Sequence, residues 1–191
     1  YPKPGDSIYV TPSTVHAADG GLLIAEIQES SDMTFRLYDW GREFNPATAR
    51  KLHLEEAIDL IDYNAFNPEL YKKGPLWGES DHKHTVETLV ESPEFNVAKL
   101  NLTDPLHIYT EKFESFIIYI CTEGAASVQV PSVNEKGEAC MDSYEISKGE
   151  TILIPAELPD FYLVPRDRET VLLEAVTRPV EELDEYIDPT T

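Results

Sequence analysis

The sequence predicts a mainly β protein made of two related β-domains, the first represented by its last part alone and the second complete. Three observations predict it. From about Glu94 to about Arg178 the chain is a series of short strand-like runs, rich in β-branched and aromatic residues and separated by turn signals. GETILIPAELPD (149–160) aligns without gaps on GDSIYVTPSTVH (5–16), glycine on glycine, acid on acid and Asp160 on His16. After a longer loop, VLLEA (171–175) echoes LLIAE (22–26), which sets Glu174 opposite Glu26. The second copy is preceded by strand material and the first by only four residues, so the first domain is expected to arrive without its beginning.

Taken in order, SIYV (7–10) and LLIAEI (22–27) read as two strands joined by a turn of small and polar residues. MTFRLYDW (33–40) alternates as a third, with Phe35, Leu37 and Asp39 on one face and Thr34, Arg36, Tyr38 and Trp40 on the other. GREFNPATARKLH (41–53) is a turn-rich linker. HLEEAIDLIDY then places Leu54, Ala57, Ile58 and Ile61 at helical spacing, which predicts an amphipathic helix of about three turns ended before Asn67-Pro68. LYKKGPLWGESDHKH is a connector punctuated by Pro and Gly. The runs FNVAKLNL, IYTEKFESFIIYICT, AASVQV, DSYEIS, TILIPA, FYLVP and TVLLEAV follow, the signature of a sandwich or barrel. PSVNEKGEACMDS is a long hairpin with Gly137 at its tip, and Pro155 stands where a strand should end. The divisions this gives are 1–45 for the end of the first domain, 46–80 for a linker with its helix, 81–178 for the second domain and 179–191 for an acidic tail.

Composition narrows the function. With 36 acidic against 15 basic side chains the net charge is −21, which argues against binding the phosphate backbone of nucleic acid or an anionic membrane surface. No apolar run approaches the ~20 residues of a membrane span, and the start YPKPGDS lacks signal-peptide character. Cys121 and Cys140 are two scattered residues and read as free thiols in a reducing compartment. A cytoplasmic protein is expected.

The candidate chemistry lies in residues 5–36. His16 follows the first strand, and Glu26, Asp32 and Arg36 follow it on the next strand or its exit. An imidazole on rigid β-structure, near a carboxylate and a guanidinium, would suit a metal and a sugar phosphate together. Arg36 admits a second reading, a surface arginine shielding the two aromatics on its face. His53 reads as a cap-region or surface residue and His107 as a satisfied structural histidine, while His82 and His84 would project to one side of a strand and could hold a metal, though their flanks read as polar loop without an evident third ligand.

The glycine, proline, glycine, histidine spacing of the second cupin motif is matched in framework by Gly5, Thr11, Ser13 and His16, with Thr11 and Ser13 standing where the motif has Pro and Gly. The second copy gives Gly149, Pro155, Glu157 and Asp160, with the second glycine and the histidine lost. More specifically, TVHA followed by AEIQESSDMTFRLYDWGRE resembles the short bacterial form of type I mannose-6-phosphate isomerase, a zinc enzyme of two cupin domains. The resemblance implies an all-β, double-stranded β-helix (cupin jelly roll) fold, with one partial and one complete barrel and a short linking helix. It implies His16 as a zinc ligand, Arg36 and Glu26 as catalytic residues and Asp32 as a substrate-binding residue, with the other ligands in an upstream motif that this sequence does not contain. The reaction implied is the interconversion of mannose 6-phosphate and fructose 6-phosphate through an enediol, where a divalent ion stabilises charge on the substrate oxygens.

Other readings of the same residues are a metal-free cupin module that binds carbohydrate without catalysis, and a cupin enzyme using another metal. On the isomerase reading, the 191 residues alone are expected to bind zinc weakly and turn over little, because one imidazole does not make a tetrahedral site. Self-association through the incomplete first barrel is also expected.

Overall fold

The computed structural model describes residues 2–31, 33–64, 85–113 and 115–177. Asp32, the pair His82 and His84, and the tail after residue 177 lie outside the described residues. The chain divides into two compact units, Tyr1–Leu70 and Tyr71–Thr191.

Among the described residues the second unit holds nine strands: β1 Thr85–Glu91, β2 Phe95–Leu102, β3 Leu106–Tyr109, β4 Ile117–Glu123, β5 Ala125–Val133, β6 Ala139–Ser147, β7 Thr151–Ile154, β8 Asp160–Pro165 and β9 Thr170–Thr177. Every pairing is antiparallel. One sheet runs β1-β2-β9-β4-β7 and the other β3-β8-β5-β6. Each connection from β2 to β5 and from β6 to β9 therefore passes from one sheet to the other, which is jelly-roll order. Alternation decides what each sheet buries: Leu100 and Leu102, Ile117, Tyr119 and Cys121, Phe161 and Leu163, and Leu172 face inward and form one continuous core. Tyr119 and Phe161 are both fully buried and meet edge to face, ring centroids 6.0 Å apart.

Most strand runs read from the sequence are found, β2 with its bounds unchanged. The hairpin tip is at Gly137, whose φ of 79° is the left-handed conformation glycine tolerates. β7 stops at Ile154, directly before Pro155. Two expectations change. IYTEKFESFIIYICT is not one strand, because a 3₁₀ turn at Thr110–Lys112 separates β3 from β4 and moves them into different sheets. β1, where no strand was expected, is a strand with Thr88 and Val90 buried.

The first unit departs further. None of the runs at 7–10, 22–27 and 33–40 is a strand, and among the described residues this unit holds only a 3₁₀ turn at Arg42–Phe44 and an α-helix, α1, at Leu54–Ile58. A strand exists only with a hydrogen-bonded neighbour, and these runs find none within the unit. Several of their apolar side chains are exposed, Leu23 at 94% and Ile8 at 60%. The helix is five residues long rather than three turns. Of its expected apolar stripe only Ala57 is buried, Leu54 and Ile58 being exposed, so little burial supports further turns.

Candidate functional site

The His16 end of the site is built by a turn. Thr14 N–H donates to Thr11 O (3.2 Å) and the two threonine hydroxyls lie 3.0 Å apart. Ser13, at the place where the cupin motif has glycine, has a φ of 68°. Ser13 thus holds a left-handed backbone that a glycine at this place would adopt freely. The repeat is legible in the same terms: Gly5 and Gly149, aligned on each other, both have a φ of 89°.

His16 is exposed, and its Nδ1 lies 2.9 Å from Thr14 O. A carbonyl only accepts, so Nδ1 carries the proton and Nε2 presents its lone pair. That is the tautomer a metal-binding imidazole needs, fixed by a hydrogen bond on its other nitrogen. Among the described residues no group of three or more His, Cys, Asp and Glu side chains is placed to hold a metal ion. His16 therefore fits as one ligand, and the described residues do not furnish a zinc site.

Arg36 is half-buried and fixed at its backbone by His53: the Arg36 amide donates to His53 Nδ1 (3.1 Å), and the His53 amide donates to Arg36 O (2.8 Å). His53, expected to be a cap-region or surface residue, is the N-cap residue of α1, without a side-chain cap bond, and it also brackets Arg36, with Phe35 edge-on to its ring at 6.1 Å. The Arg36 guanidinium donates to Lys51 O (3.4 Å), and its Nε is 4.0 Å from Asp39 Oδ1.

Asp39 is the residue the sequence reading missed. Its carboxylate is 1% exposed, accepts from Arg50 Nε (2.9 Å) and Nη2, and is ion-paired with Arg42 Nη2 (2.8 Å). The Arg50 hydrogen bonds, with the charges of Arg42, Arg50 and Arg36, hold the Asp39 carboxyl below the usual carboxylate range against the opposing effect of burial. Strand alternation set Asp39 and Arg36 on opposite faces. The backbone is not a strand there, so Arg36 comes within 4.0 Å of Asp39, and left-handed Trp40 (φ 57°) and Gly41 (φ 77°) turn the chain ahead of Arg42, which pairs with the same carboxylate. The signal available was the run R-x2-D-x2-R-x7-R, one acid among three arginines.

Glu26 is exposed. Among the described residues no hydrogen bond or ion pair joins His16, Glu26 and Arg36 to one another.

In the second unit the counterparts of His16 and Glu26 point apart. Asp160 shares the outer face of its sheet with His107, whose Nε2 is 2.6 Å from Asp160 Oδ2 and whose ring stacks on Tyr162 at 4.0 Å, so His107 is satisfied as expected. Glu174 faces the core and accepts from the buried Tyr119 hydroxyl (2.6 Å). Burial raises its carboxyl above the ordinary range, while the Tyr119 hydrogen bond lowers it. Cys121 and Cys140 are free thiols, the first raised by burial. Among the described residues no helix is long and apolar enough to cross a membrane.

Two antiparallel sheets in jelly-roll order, preceded by a unit that keeps the glycine and histidine of the second cupin motif, define a cupin-type β protein. Within that class the chain is similar to mannose-6-phosphate isomerases. It is 32% identical to mannose-6-phosphate isomerase ManA of Bacillus subtilis (strain 168) over 161 residues, 84% of this chain and 46% of that protein. It is 28% identical to the mannose-6-phosphate isomerase of Streptococcus mutans over 153 residues, 80% of this chain and 43% of that protein. The chain thus spans about half the length of the curated relatives it matches. No family model matches. The fold matches the crystal structure of the mannose 6-phosphate isomerase from Bacillus subtilis with a TM-score of 0.53 and 23% identity, over 76% of this chain and 40% of that one.

Proposed function

We propose that this chain is the second half of a mannose-6-phosphate isomerase, with the end of the active domain in its first unit and a non-catalytic cupin barrel in its second. The observation that carries this reading is the 32% identity to the Bacillus subtilis enzyme across 84% of the chain. Isomerisation moves a proton between adjacent carbons through an enediol while negative charge builds on two oxygens. Arg36 keeps its charge throughout turnover and is held at the backbone by His53, so it is fit either to clamp the enediolate or to anchor the substrate phosphate. Glu26, an exposed carboxylate, is the proposed proton carrier, and Asp32 is proposed to bind the sugar. Zinc, when bound, would take His16 as one ligand and supply a fixed positive charge near the substrate oxygens.

The test is a coupled assay of mannose 6-phosphate isomerisation by the protein at its natural length, beside Arg36→Ala. Loss of turnover by about two orders of magnitude or more with an unchanged unfolding transition supports the assignment. Unaltered kinetics in the variant remove Arg36 from the reaction. We also propose that the exposed apolar side chains of the first unit, Leu23 and Phe44 (85%) among them, drive self-association of this chain. Light scattering should show oligomers that grow with concentration, and a monodisperse monomer contradicts it.

A further inference from the structure

The turn around Asp39 gathers more positive charge than its one carboxylate neutralises. Arg36, Arg42 and Arg50 all lie within 4.0 Å of Asp39, three positive charges against one negative, in a chain whose net charge is −21. The neighbouring charges leave that excess in place. Lys51 is matched by Glu56 (3.3 Å). Glu43, in the same 3₁₀ turn, makes no ion pair with the arginines among the described residues, and its Oε2 is buried without a hydrogen-bond partner.

The arrangement is ordered rather than incidental. Arg50 grips Asp39 through Nε and Nη2, the side-on fork that fixes a guanidinium plane. Arg42 is tied twice, by Nη2 to Asp39 Oδ1 and by Nε to Asp39 O (3.4 Å). Each guanidinium has N–H donors left over after these bonds. The side chains keep access to solvent, Arg42 at 49%, Arg50 at 47% and Arg36 at 22%, while the carboxylate between them is 1% exposed. Guanidinium groups held side by side repel one another, and Asp39 offsets one charge of the three. Two remain, the charge of a phosphate dianion, and planar donor forks match phosphate oxygens. A carboxylate ligand would leave half the excess standing.

We propose that Arg36, Arg42 and Arg50 form a phosphate-dianion site organised by Asp39, and that it receives the phosphate end of a phosphorylated sugar. The second clause rests on the isomerase reading and the first does not. Arg42 and Arg50 are then substrate-binding residues, and Asp39 is a positioning residue that acts through them.

Inorganic phosphate titrated into this chain, with the arginine Nε–Hε resonances followed by NMR, tests the site without metal or turnover. Saturable shifts confined to Arg36, Arg42 and Arg50, weakening as salt rises, are expected. Arg42→Gln leaves the Arg50 fork on Asp39 and should weaken phosphate about tenfold or more. Arg168→Gln, at a residue that takes no part in the Asp39 cluster, should leave it unchanged. No saturable shift in the wild-type chain, or the same response to chloride as to phosphate, overturns the site, and that outcome does not depend on how any variant folds. Mannose 6-phosphate is then compared with inorganic phosphate on the same resonances. Tighter binding of the sugar phosphate supports both clauses, whereas equal binding keeps the anion site and overturns its role in isomerisation.

Discussion

Replacing Tyr119 by Phe removes one oxygen from the centre of the second unit and leaves its ring in place. Tyr119 is fully buried, and its hydroxyl is the hydrogen-bond partner of Glu174, itself 9% exposed. The ring's contact with Phe161 survives the change, so the loss is that of the donor. A buried acceptor left without its donor costs about 1–3 kcal/mol, and the cost is greatest where the carboxylate is ionised. At about 4 °C per kcal/mol for a unit of this size, Tyr119→Phe should melt roughly 4–12 °C lower.

Glu174→Gln separates charge from hydrogen bonding, because the amide still accepts from Tyr119 and cannot ionise. Since burial raises the folded-state pKa of Glu174 above its ordinary 4.5, the folded state binds this proton more tightly than the unfolded chain does. The group's stability contribution is then fully present below the ordinary value and is lost as pH rises through the raised one. Urea unfolding followed by circular dichroism from pH 4.5 to pH 9 should show Glu174→Gln gaining on the wild type as pH rises. A Tyr119→Phe variant as stable as the wild type, or a difference between Glu174→Gln and wild type that does not change with pH, refutes the reasoning.

The backbone supplies further predictions. A Cβ on Gly124 (φ 69°) would collide with the carbonyl oxygen of Glu169, with its carbonyl carbon at 3.1 Å, so Gly124→Ala should cost about 3 kcal/mol or more by denaturant unfolding. Gly137→Ala, also left-handed but with nothing within 4 Å, should cost only about 1 kcal/mol, and equal costs would contradict the steric account. Ser13→Val adds a β-branched side chain at a φ of 68° and should lower stability of the first unit by about 1–2 kcal/mol, while Ser13→Gly should not lower it. Hydrogen exchange of the amides in 11–16 reads both.

The second unit was legible because its strands carry their own partners. β2 alternates between core and sheet exterior and pairs with β1 on one side and β9 on the other, so period and packing agree. β1 escaped notice because Glu87 and Glu91 interrupt a run whose buried positions, Thr88 and Val90, are few and partly polar. In the first unit, local pattern promised strands that no neighbour completes, and an amphipathic helix whose Leu54 and Ile58 meet solvent. Pairing and burial are properties of the assembled chain, and sequence periodicity reports only the capacity for them. Within the site, the tautomer of His16 depends on the carbonyl two residues earlier, and the gathering of Arg36, Arg42 and Arg50 depends on the left-handed turn at Trp40 and Gly41. Neither is a matter of residue type. The motif spacing marked His16 and Arg36 but not Asp39, the carboxylate around which the arginines assemble.

The proposed function requires His16 and Arg36 to serve one reaction. A double-mutant cycle on kcat/KM for mannose 6-phosphate, in the protein at its natural length, measures this directly with His16→Ala, Arg36→Ala and the pair. Groups acting on the same transition state give strongly non-additive losses, so the double variant should be about as impaired as the worse single variant. Losses that multiply, or either single variant at wild-type kcat/KM, would contradict it.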